Sequence, residues 1–148
     1  MLDFFGLFIM LAGFVIGLGA VTVIDLHGFF GMNSAYWTEA TIRSHKITKP
    51  LIWIGIFFVV IGGSIFYRNS DFTVLIKFQS ILTLLLIVNG IFLSFYVSPR
   101  LLERESEGRS REILPGSLQR KIALSFVFSF LGWWGSLISL VWYLVNIP

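Results

Sequence analysis

The chain has 148 residues, of which 56% are hydrophobic and 13% charged, where a water-soluble domain carries about 25% charged residues. So few charges cannot cover a water-facing surface. The absence of cysteine excludes disulfides, thiolate metal sites, iron–sulfur clusters and thiol catalysis.

Four apolar runs follow in order: Phe4–Leu26, Pro50–Tyr67, Thr73–Val97 and Ile122–Asn146. A bilayer core about 30 Å thick takes about 20 helical residues, and inside hydrocarbon the backbone must satisfy its own hydrogen bonds, so each run is expected to be a helix. The n-region Met1-Leu2-Asp3 carries an acid and no basic residue, unlike a secretory signal, so the first run is expected to stay as a transmembrane helix. The fold class expected is all-α: one four-helix transmembrane bundle over residues 1–148, with a short interfacial helix in the first loop. Nine of the eleven Lys and Arg residues fall in segments 27–49 and 98–121. By the positive-inside rule these loops are cytoplasmic, both termini lie outside, and the chain is integral to the cytoplasmic (inner) membrane.

In the first span Gly6, Gly13, Gly17, Ala20, Ile24 and His27 follow mostly three-and-four spacing, a face that lets another helix approach. His27 is thereby placed in the bundle seam, with Asp25 facing elsewhere. In the next segment Asn33 and Ser34 are N-cap residues, and Glu39 precedes Arg43 by one helical turn. Tyr36 and Trp37 suit an interface. The spacing predicts a surface helix over 35–47 with His45 in its last turn, and Pro50 opening the second span. The turn Arg68–Asp71 makes the second and third spans a hairpin. In the third span Lys77 can snorkel, whereas Asn89 lies deep enough to need a partner. LLERESEGRSRE reads as a helical extension of that span, stopped near Gly108, and Ser117 is placed as cap of the fourth helix. There Ser125, Ser129, Gly132, Ser136 and Ser139 form one small-residue stripe. Trp133 and Trp134 sit at mid-span, where an indole N–H needs a partner, and Asn89 is the candidate.

Two chemistries suit the polar residues. His27 and His45 can be axial ligands of a haem b, with Asn89, Trp133 and Trp134 as pocket residues. His27, His45 and Asp25, with Glu39 nearby, can instead form a divalent metal site. The plain alternative for the histidines is an interfacial role, one of them meeting the carboxyl end of the first helix. No catalytic residue is identified. A rival reading is a non-catalytic accessory subunit or homo-oligomer joined through the small-residue faces of the first and fourth spans. A small transporter is a third, disfavoured because the spans carry no charge relay. The loop basic residues are interspersed with acids and do not form a nucleic-acid patch, so the lipid bilayer is the partner expected.

The runs GFVIGLGAVTVIDL and KPLIWIGIFFVVIGG, and VLIKFQSILTLLLIVNGIFL followed by SPRL, resemble copper-resistance-D-like proteins and the membrane protoporphyrinogen oxidase family, small four-helix bacterial membrane proteins. The resemblance covers three of the four spans and implies association with haem. Those families carry a histidine within the first span, upstream of the paired glycines. Here that place reads Phe8-Ile9-Met10-Leu11, and only Lys77 matches a polar position. The resemblance therefore implies haem binding through His27 or His45 and does not bring the oxidase activity with it.

Overall fold

The computed structural model describes residues 1–146. Its elements are α1 (Leu2–Gly31), α2 (Ala35–Phe66), α3 (Val74–Phe92), a π-helical turn (Leu93–Val97), α4 (Ser98–Ser106) and α5 (Gly116–Val145). α3, the π turn and α4 form one continuous rod. Four helices are long and apolar enough to cross a membrane: α1, α2, the α3–α4 rod and α5.

The closest approach is between α1 and α2, which run antiparallel. Gly6, Gly13 and Gly17 of α1 meet Gly55 and Gly62 of α2, so backbone touches backbone. A Cβ added at Gly13 would lie 2.7 Å from the Gly55 carbonyl oxygen, and one at Gly55 would lie 2.6 Å from Gly17 Cα. The hairpin is closed at its tip by hydroxyls. Ser34 caps α2 by accepting from Trp37 N at 3.5 Å, and Thr38 Oγ1 donates to the Gly31 carbonyl at 2.8 Å.

α2 differs from the expected two pieces. The segment predicted as a separate interfacial helix is the first part of α2, which continues through Pro50. Proline has no N–H to return to the carbonyl one turn back, that of Lys46. Lys46 and Pro50 are both exposed, so the freed carbonyl stays on the outer face and the helix need not break.

α3 and α5 form the second tight pair. Every member of the stripe Ser125, Ser129, Gly132, Ser136 and Ser139 is buried. Cβ atoms added at Gly132 and Gly135 would come within 2.6 Å of Leu86 and 2.8 Å of Leu82. The two pairs lock through Trp133, which is 1% exposed, fits against Gly17 and meets Phe14 edge to face at 6.1 Å. Around it cluster Met10, Val21, Ile56, Val59, Leu86 and Leu140. The exterior is apolar, with Val15, Phe57, Ile81, Phe95 and Ile138 exposed.

Three further points concern the small-residue faces and the helix ends. Both faces are buried inside the chain, the glycines of α1 against α2 and Trp133 of α5, and the serine stripe of α5 on the side that packs against α3. Pro115, not Ser117, starts α5, its carbonyl accepting from Leu118 N at 2.9 Å and Gln119 N at 3.0 Å. α4 stops as predicted, with Gly108 at φ +73 just beyond it, a conformation glycine adopts without strain.

The glycine contact gives a direct test. Gly55→Val should lower stability by at least about 1–3 kcal/mol, the usual cost of overpacking, since the obstacle is backbone. Gly19→Ala has nothing within 4 Å of the new methyl and should be neutral or stabilising. Thermal unfolding in detergent, followed by size-exclusion chromatography, compares the two.

Candidate functional site

The end of the bundle that carries the basic segments holds a cavity of about 120 Å³, partly open beside the exposed Phe29 and Phe126. All four long helices contribute to its wall. Most of the lining is apolar or aromatic, including Ile24, Phe29, Ile52, Trp53, Leu93 and Phe126. The polar groups that reach it come from different elements: Asp25 from α1, His45 and Lys49 from α2, and Ser94 from the π turn. A π turn adds a residue to a helical turn and is often found at functional sites. Here Leu93, Ser94 and Val97 of that turn all face the cavity.

Most polar atoms around the cavity are already paired. Trp53 Nε1 donates to Ser94 Oγ at 3.0 Å, and Lys49 Nζ to Ser98 Oγ at 3.4 Å. Thr41 Oγ1 donates to the Trp37 carbonyl at 2.8 Å, and Gln119 Nε2 to the Met32 carbonyl at 3.1 Å. Asn89 and Ser125 form a reciprocal pair near the inner wall. Asn89 Nδ2 donates to the Ser125 carbonyl at 3.1 Å, and Ser125 Oγ donates to Asn89 Oδ1 at 2.7 Å. His45, only 9% exposed, leaves its buried Nε2 without a partner, and the Asp25 carboxylate has no hydrogen bond or ion pair among the described residues.

The structure separates several residues that the sequence groups. His27, on α1, is half-buried against another face of α2, with Nδ1 3.0 Å from Ser44 Oγ and its ring 5.3 Å from that of Trp37. Ser44 and His45 are adjacent in α2, so their side chains leave the helix about 100° apart. That angle turns the two imidazoles to different sides. Axial ligands stand on opposite faces of one macrocycle, and the residues present do not fit a bis-histidine haem between them. The cavity is also smaller than the roughly 300–1,000 Å³ of common ligand pockets.

Asp25, expected to face away from the bundle seam, joins His45 at the cavity. Glu39 instead pairs with Arg43 at 2.7 Å and Arg111 at 2.8 Å. Among the described residues no three His, Cys, Asp or Glu side chains come together as a metal-ligand set. Trp134 is 42% exposed on the outer surface, while Trp133 belongs to the core with its Nε1 unpartnered. The expected partner of that indole, Asn89, is taken by Ser125. Trp53 and Ser94 are the site residues that sequence reasoning passes over, while Lys49 belongs to the polar segment that carries the two histidines. A tryptophan one turn into a span is a weak hint, and nothing in the sequence marks the π turn.

A second, wider space of about 610 Å³ lies between α2 and α3 at the far end. Tyr67 donates to Gln79 Oε1 at 2.8 Å there, and Gln79 Nε2 is buried without a partner. Val60, Ser64 and Leu84 on its walls are exposed, so this is a groove open to the apolar exterior. Comparison with protein-family models, curated proteins and solved structures finds no match for the chain.

The Asn89–Ser125 pair is testable as a unit. Asn89→Ala should cost about 1–3 kcal/mol, because it strands a buried hydroxyl. Ser125→Ala made in that background should cost less than it does alone, with a coupling of about 1 kcal/mol. A double-mutant cycle measured by unfolding in detergent checks this, and strictly additive costs would contradict the pairing.

Proposed function

We propose that this is an integral protein of the cytoplasmic membrane that binds a small, ring-sized, mostly apolar molecule bearing one hydrogen-bonding oxygen. Segments 27–49 and 98–121 face the cytoplasm and both termini lie outside. Support for that orientation is the placement of nine of the eleven Lys and Arg residues in those two segments.

One observation carries the binding function: the buried His45 ring, whose free Nε2 belongs to a residue lining the cavity. A buried polar atom without a partner costs about 1–3 kcal/mol, and a ligand oxygen offsets that cost. An apolar lining with a few polar groups converging on it is the usual form of a small-molecule site. At about 120 Å³ the space is close to the roughly 150 Å³ of an engineered apolar cavity that takes up benzene. His45 supplies the hydrogen bond, Trp53 and Phe126 supply flat apolar wall, and Asp25 and Lys49 add polar groups to the lining.

Benzene and phenol separate shape from recognition. Wild-type protein should bind phenol about three- to tenfold more tightly than benzene, the difference one hydrogen bond makes. His45→Leu should bind the two alike. Calorimetric titration in detergent measures both. Equal affinities in the wild type, or a phenol preference that survives in His45→Leu, would overturn the assignment. So would a Soret band in protein expressed with a haem supply.

A further inference from the structure

Most basic side chains at this end of the molecule are matched to an acid. Glu39 holds Arg43 and Arg111, and Glu105 holds Lys46. Glu107 holds Arg109, and Glu112 holds Arg104 and Arg109. Among the described residues Lys49, Arg100, Arg120 and Lys121 have no such acid, and of these Arg100 and Lys121 come together. Both are exposed, and among the described residues no carboxylate lies within 4.0 Å of either.

These two cations converge on one neutral side chain, Tyr96. The Arg100 guanidinium carbon stands 3.6 Å from the centre of the Tyr96 ring, and Lys121 Nζ stands 4.3 Å from it. Lys121 also donates to the Tyr96 hydroxyl, and Arg100 to the Tyr96 carbonyl. Tyr96 in turn stacks on Phe92, with centroids 5.1 Å apart and planes 15° apart. The phenol thus fixes two positive charges that repel one another. Phe95, next to Tyr96, and Leu124, about one helical turn after Lys121, are exposed and apolar. The charge pair therefore sits where the apolar exterior gives way to the polar end.

We propose that Tyr96, Arg100 and Lys121 form a binding site for the phosphate of an anionic phospholipid. A guanidinium presents paired N–H donors that match phosphate oxygens, and an ammonium adds a second charge. The acyl chains would lie along the exposed face below, beside Phe95 and Leu124. The site rests on the membrane insertion proposed above and is independent of the His45 cavity.

Thermal unfolding in a neutral maltoside detergent tests it, with phosphatidylglycerol, phosphatidylcholine or inorganic phosphate added at equal headgroup concentration. Phosphatidylglycerol should raise the unfolding temperature, and the other two should not. In Arg100→Gln/Lys121→Gln the phosphatidylglycerol affinity should fall about thirtyfold, the effect of two basic contacts at a charged bilayer surface. Arg43→Gln should bind like the wild type. If the double variant does not fold, Lys121→Met keeps the apolar stem and should bind about fivefold more weakly. Equal shifts with both lipids, unchanged affinity in these variants, or an equal shift with phosphate alone would overturn the site. Resistance of the protein to carbonate extraction from membranes tests insertion separately.

Discussion

The backbone contact between α1 and α2 is the constraint on which the rest of the bundle depends. Gly13 and Gly17 against Gly55, and Gly6 against Gly62, leave no room for side chains between the two helices. That closeness brings α1 and α2 into one slab, and the missing side chain at Gly17 makes the notch that receives Trp133 from α5. A tryptophan placed there joins the two helix pairs into a bundle with one core. With no hydrophobic drive between helices in lipid, packing of this kind and interhelical hydrogen bonds are what remain to hold spans together. The Asn89–Ser125 pair supplies the second kind between α3 and α5.

The same packing explains where the bundle does not close. Toward the middle, glycine and serine bring the helices together. At the basic end, Thr38, Thr41, His45 and Lys49 on α2 share the cavity wall with the π turn and the start of α5. Larger side chains at this end leave the cavity open, and the π turn carries Ser94 to Trp53. Buried polar atoms elsewhere without partners, such as Trp133 Nε1 and Ser136 Oγ, lie within close packing. Among these atoms His45 Nε2 is the one whose residue lines the cavity at the basic end.

Much of this is legible in the sequence. The four apolar runs appear as the four long helices, and the glycine face of the first and the serine stripe of the last are both buried. Ser34 caps α2, as its residue type predicts. These signals are periodic, and periodicity reports which side of a helix is inward. It does not report which neighbour is met. Depth alone matches Asn89 to an indole, but its partner is Ser125. Trp133 and Trp134 look alike in sequence, yet one turns into the core and its neighbour turns out. Pro50 reads as a helix start because proline favours a first turn. Its exposed position makes it equally tolerable within a continuous α2. The two histidines share the chain's first polar segment, but a rotation of about 100° between positions 44 and 45 sends them to different surroundings.

The claim that His45 faces a ligand-sized space can be read most directly by chemistry at that position. The chain has no cysteine, so His45→Cys places a single thiol there. A small methanethiosulfonate should modify it, and phenol should slow the modification. Ile42→Cys, at a position fully buried among packed side chains, should stay unmodified. In the His45→Cys variant, an inert thiol, or one that reacts at a rate phenol leaves unchanged, would contradict the account.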